Sequence, residues 1–199
     1  MSLLKRAASA ALLVALMCAA MAGSATATTM MLEPAGEFTM ASSGAITYTG
    51  EGVEVACSQT LEGSLEGSTA NVETEGGTLG QITSSRWSEC SGGSISSALS
   101  LPLTIRIGRL LGSPIPRNFF GILYFIGGEA YEFTLIGTRC LYAGTAGMLW
   151  GFSGSPLRST TVNDLGTTFT KVSGSAFCPP ILRRAGRFNI SPTQVASFR

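Results

Sequence analysis

The chain has 199 residues, with 13 basic and 12 acidic side chains and no histidine. The lack of histidine removes Ser-His-Asp and Cys-His nucleophilic machinery and every histidine-ligated metal site, and with them most secreted hydrolases. A formal charge of +1 is not that of a nucleic-acid binder.

Lys5 and Arg6 open the chain, residues 7–23 are almost wholly small and apolar, and Ala25-Thr26-Ala27 supplies the small-x-small site of signal peptidase. Residues 1–27 therefore read as a helical signal peptide cleaved after Ala27, leaving 28–199 as one domain. Ser9, Cys18 and Gly23 interrupt the apolar run and no stop-transfer charges follow, which argues against a retained anchor. Met17 stands where a lipobox needs a small residue before Cys18, which argues against lipidation. The expected destination is extracellular or cell-surface, with no membrane association once the signal is gone.

From Thr28 to Cys90 nine acids face Arg86 alone; from Ser91 onward three acids face ten bases. Either the molecule is polar, presenting a basic face to an anionic cell-wall polymer, or its halves fold together and the charges intersperse. Interspersion is the expectation. Four cysteines follow the signal, Cys57, Cys90, Cys140 and Cys178, and an even number in an exported chain means two disulfides. Three connectivities are open. Adjacent pairing, Cys57 with Cys90 and Cys140 with Cys178, closes loops of 33 and 38 residues by subtraction, each stabilising by roughly 4 kcal/mol in the chain-entropy model. Zinc is a poor rival, since there is no C-x-x-C pair.

Short apolar runs between Gly, Ser, Asn and Pro predict strands near 46–49, 52–57, 80–87, 103–107, 119–126, 131–139, 167–172 and 187–190. The fold class is thus all-β, an antiparallel β-sandwich of many short strands. Val53, Val55 and Cys57 alternate with Glu54 and Ala56, turning the cysteine inward. Cys140 is out of phase with Tyr131, Phe133 and Leu135, which predicts a bulge near Gly137. Residues 119–126 are apolar on both parities, as in a strand covered on both faces. Cys57 and Cys140 each close a predicted strand, with a glycine soon after and the next cysteine at similar distance, so residues 45–100 and 118–190 read as a pseudo-repeat.

Val55-Ala56-Cys57-Ser58-Gln59-Thr60-Leu61-Glu62-Gly63, Trp87 three residues before Cys90, Leu101-Pro102, Arg139-Cys140-Leu141-Tyr142-Ala143-Gly144 and Cys178 together resemble a family of small exported proteins common in actinobacteria. The resemblance covers about 45–190 and implies a two-bridge β-sandwich with no known activity. The apolar, arginine-bearing segment 106–126 departs from it.

Glu129 and Glu132, three apart on a strand, point to opposite faces, while Glu73 and Glu75 share one at about 7 Å and read as a solvated edge. With Asp164 the sole aspartate, a calcium cage has little support. Leu101-Pro102-Leu103-Thr104 begins like a sortase signal, but Ile105 replaces the required glycine. Pro114-Ile115-Pro116-Arg117 reads as a sheet connector before a protease-inhibitor loop. Trp87, Trp150, Tyr48, Tyr124, Tyr131 and Tyr142 read as core before sugar platforms. The expectation is a non-enzymatic exported module without cofactor or metal, binding a cell-wall polymer or another secreted protein. A secreted carbohydrate-binding protein or protease inhibitor is the alternative.

Overall fold

The computed structural model describes residues 29–66, 70–71, 76–96, 101–112, 115 and 117–199, so the signal segment 1–27 and its cleavage site lie outside the described residues. The elements are β1 (Thr29–Glu33), β2 (Gly36–Ser42), β3 (Ile46–Gly50), β4 (Val53–Leu65), β5 (Ala70–Asn71), β6 (Thr78–Ser91), β7 (Ser94–Ser96), β8 (Leu103–Leu111), β9 (Gly121–Leu135), β10 (Thr138–Gly151), β11 (Leu157–Asp164), β12 (Thr168–Gly174), β13 (Ile181–Ala185) and β14 (Arg187–Phe198). All belong to one sheet, and among the described residues there is no helix.

Several of these strands are collinear. β1 and β2 both pair with β14, and β2 and β3 both with β4, so the three form one stave broken near Pro34 and Gly44. β11 and β12 share β10 as partner, and β13 continues into β14 through Gly186. After the turn at Gly92-Gly93 the chain reverses, and β7 and β8 both pair with β9, so they form one stave. Counted this way there are eight staves in chain order: β1–β3, β4, β6, β7–β8, β9, β10, β11–β12 and β13–β14. Each pairs antiparallel with the next, and the eighth returns to the first through β13–β3, β14–β2 and β14–β1. The sheet therefore closes on itself, which leaves the principal staves no free edge.

The all-β antiparallel class and both disulfides are as read from the sequence, and opposite walls pack face to face as sandwich layers do. Tyr48 of β3 meets Phe133 of β9 at 5.0 Å between ring centroids, Trp87 of β6 meets Tyr131 of β9 at 5.4 Å, and the Tyr124 hydroxyl reaches Met40 Sδ at 3.7 Å. The interior is filled by side chains, as an eight-stranded ring of this size requires. Along β4, Val55, Cys57, Gln59, Leu61 and Leu65 turn inward while Glu54, Ser58, Thr60 and Glu62 face out.

Closure corrects three sequence expectations. A strand in a single closed layer has one covered face, so Ile122, Tyr124 and Ile126 are buried while Phe120 and Phe125 are exposed. Residues 131–139 are two strands, joined by a two-residue turn in which Ile136 and Gly137 have φ of 48° and 75°. That turn, and no bulge at Gly137, sets the parity of Cys140; the bulge lies where Gly127 and Gly128 oppose Thr145. Finally, Cys57 and Cys140 stand near the starts of β4 and β10 and close neither, because the alternation continues past them.

The two bridges are placed alike in the two halves of the ring. In the first four staves a bridge ties the second stave near its start to the third near its end; in the last four, Cys140 and Cys178 do the same for the sixth stave and the loop after the seventh.

Candidate functional site

Cys57 bonds Cys90 and Cys140 bonds Cys178, with Cα separations of 4.1 and 5.8 Å. Strand direction puts both bridges at one end of the barrel, with the turns at Glu51-Gly52 and Ile136-Gly137 and the loop before Ile181. The termini of the described fold lie at the other end, where Thr29 and Arg199 exchange backbone hydrogen bonds of 2.7 and 2.9 Å.

Between the ends, register breaks include those at Ser43–Ala45, at Gly108, at Gly127-Gly128, at Leu165–Thr167 and at Gly186. Several of these breaks are linked sideways, since Ser43 N donates to Arg187 O, Asp164 N to Gly186 O, and Leu165 N to Gly147 O. Inside this belt sits a charged cluster. Arg184 on β13 is fully buried, its Nη1 donates to Glu129 Oε2 at 2.8 Å, and its Nε donates to Asp164 Oδ2. Asp164 Oδ1 accepts from Gly166 N and Thr167 N, each at 2.9 Å, and from Thr167 Oγ1, so one carboxylate satisfies backbone donors that the break in the seventh stave frees from the ladder. Phe169 lies 5.3 Å from the guanidinium carbon, and the Tyr48 and Tyr131 hydroxyls lie against the guanidinium and Gln59 without ideal hydrogen-bond geometry.

Burial pushes the Glu129 carboxyl above its ordinary range and Asp164 adds to the push, while Arg184 opposes it. Burial also drives the Tyr48, Tyr124 and Tyr131 hydroxyls up, holding all three neutral. Glu129 and Asp164 share one guanidinium, yet their side chains are 1% and 0% exposed. A carboxylate pair that no substrate reaches has no acid–base work to do, so the cluster is a structural tie between the fifth, seventh and eighth staves.

The outer wall carries the other candidate features. Because neighbours in the ring are neighbours in sequence, the acid-rich first three staves stay together, with Glu33, Glu37, Glu51, Glu54, Glu62, Glu66 and Glu89 pointing outward. The remaining staves and their connections present Arg106, Arg109, Arg117, Arg139, Arg158, Lys171, Arg183, Arg187 and Arg199, against the single outward acid Glu132. The charges are segregated onto two arcs, contrary to the expected interspersion; a sequential ring cannot shuffle its staves. Glu62 of the acidic arc pairs with Arg86 at 3.3 Å in the open, and Glu132 with Arg139 at 3.7 Å. On the basic arc Phe125 is 39% exposed and leans over Gly108, with Gly147 on its other side and Arg106 opposite across the ladder. The bulge at Gly108 turns both Arg106 and Arg109 outward, although they stand three positions apart, an odd spacing.

The singled-out residues distribute as follows. Glu129 and Glu132 do take opposite faces, inner and outer. Trp87, Trp150, Tyr48, Tyr124, Tyr131 and Tyr142 all pack in the core. Leu103 of the sortase-like stretch is buried in β8. Ile115 packs on the core and Arg117 is exposed, whereas Glu73, Glu75, Pro114 and Pro116 lie outside the described residues. Among the described residues no group of three or more Cys, Asp or Glu is placed to hold a metal ion. Sequence reasoning missed the Arg184 cluster and the Phe125 shelf. The signal for the first was present: Arg183 and Arg184 are adjacent in a strand, so one of them has to face the core.

No protein-family model, no characterised protein and no solved structure matches the chain.

Proposed function

We propose that this chain is an exported, non-enzymatic binding or structural module that acts at or outside the cell surface and engages an anionic cell-wall polymer through its basic arc. The observation that carries the reading is the segregation of outward charge onto two sides of a closed barrel. The packed interior supports an outside-in mode of binding, because rings from opposite walls already meet across it. Two disulfides suit an oxidising, extracellular setting.

Calorimetric titration with a soluble polyuronate and with polyphosphate tests the proposal. Binding that weakens as salt rises, and that Arg158→Glu combined with Arg187→Glu reduces by roughly tenfold or more, is expected. No binding at low salt, or binding indifferent to the reversal, overturns it. The carbohydrate-binding alternative draws on Phe125: a ring flanked by two glycines and Arg106 suits stacking of a sugar. Under that alternative Phe125→Ala abolishes binding to neutral glycans at high salt.

A further inference from the structure

Ile136 departs from two rules at once. It is a β-branched residue at φ 48°, in a turn type normally made by Asn-Gly or Gly-Gly, and it is 91% exposed. A sequence optimised for stability alone would place neither the strain nor the apolar surface there. Phe177, in the loop between the seventh and eighth staves at the same end of the barrel, is 86% exposed.

That loop is held rather than loose. Cys178, next in sequence, is bonded to Cys140 and buried; Phe177 N donates to Ser175 Oγ at 3.2 Å; Lys171 Nζ donates to Ser175 O and Cys178 O at 3.3 and 3.0 Å. Val172 and Ile181, on the strands entering and leaving the loop, are 61% and 46% exposed. Two stiff tips therefore carry apolar side chains into water at the disulfide end. Arg139, Lys171 and Arg183 lie on the strands behind them.

We propose that this end of the barrel docks on an anionic lipid surface, with Ile136 and Phe177 entering the head-group boundary and Arg139, Lys171 and Arg183 meeting the phosphates. The geometry favours lipid over protein: a fluid apolar medium closes round separate convex tips, whereas a protein partner has to supply a matching pocket for each. Charge points the same way on the side that carries the tips: Arg139, Lys171 and Arg183 lie on the sixth to eighth staves, with Glu132 paired to Arg139 at 3.7 Å, whereas Glu51, Glu54 and Glu89 lie on the first three staves and the turn that joins the first two, beginning beside the eighth. The barrel docks tilted, acidic side away. The inference shares with the proposed function only the location outside the cell.

Flotation of the disulfide-intact protein with vesicles of phosphatidylcholine alone, and of phosphatidylcholine mixed with phosphatidylglycerol, decides the matter. The wild-type protein is expected to float with the mixed vesicles, and Ile136→Asn and Phe177→Ser each to reduce partitioning by roughly tenfold. Ile136→Asn should also raise the thermal midpoint, because Asn accepts the left-handed backbone, so lost binding is not lost folding. Failure of the wild type to float, or undiminished flotation of the double variant, overturns the proposal. So does self-association, or capture of a protein target, that the tip variants abolish while vesicles stay unbound. Flotation that survives Arg158→Glu with Arg187→Glu while polymer binding is lost, or the reverse, tells failure of one proposal from failure of the other.

Discussion

Arg184 Nη1 and Glu129 Oε2 stand 2.8 Å apart with their side chains 0% and 1% exposed, joining the eighth stave to the fifth through the centre of the barrel. With Asp164 on the same guanidinium, the cluster holds one positive group and two carboxyls. Its net charge is zero only when one carboxyl keeps its proton. Burial pushes the Glu129 carboxyl toward that state.

The sign of the resulting pH dependence follows. Glu129 has a folded pKa above its unfolded value, so the folded state holds its proton more tightly than the unfolded chain. Its contribution is full below the ordinary value of about 4.5 and is lost as pH rises through the raised folded value. Denaturant unfolding of wild type and Glu129→Gln from pH 4 upward should show the difference between them shifting in favour of the variant with rising pH. A difference that stays flat, or shifts the other way, contradicts a raised Glu129.

Arg184→Met removes the one cation and leaves two buried carboxyls facing each other. Breaking a buried pair from one side costs about 3–5 kcal/mol. Adding Glu129→Gln to Arg184→Met should restore a substantial part of that loss. Equilibrium unfolding of the three variants checks this, and additive losses would show that the cluster does not act as a unit.

The staples are tested by non-reducing peptide mapping, which should yield one fragment joining Cys57 to Cys90 and one joining Cys140 to Cys178. Losing either bridge should cost roughly 2–5 kcal/mol, comparable to the whole stability of a small domain. Secreted yield of Cys57→Ala and Cys140→Ala should fall sharply, and N-terminal sequencing of secreted wild type should begin at Thr28.

Gly63 has no room for a side chain, since a Cβ there would collide with the Gln81 carbonyl oxygen on the neighbouring strand and press on the Phe38 ring. Gly63→Ala should destabilise by about 1–3 kcal/mol. Thermal unfolding beside Gly77→Ala, where the nearest atom is 3.8 Å away, isolates the steric effect.

A panel of ester, peptide and polysaccharide substrates should show no turnover above buffer. The chain has no histidine, and the inner carboxyl pair is sealed. Turnover abolished by Glu132→Gln or by Glu37→Gln, both outward acids, would reverse the assignment.

The residues alone determine that this is an antiparallel β-protein with inward Cys57, because alternation is a local property of a strand; they leave three cysteine connectivities open, and the tertiary structure selects the adjacent pairing. They also determine that Glu129 and Glu132 part to opposite faces, since two-residue periodicity is indifferent to what the strand packs on. Tertiary structure decides what depends on ring closure. Phe125 is as apolar as Tyr124, and only a single covered face makes one exposed and the other core. The acid-rich and base-rich halves were plain in the sequence, but whether they mingle depends on strand order, and a sequential ring keeps them apart. The sequence places Arg183 beside Arg184 without saying which of them turns inward. Arg184 becomes the central tie because register breaks in neighbouring staves bring Glu129 and Asp164 to it, and a break is set by the partner strand rather than by the residues that flank it.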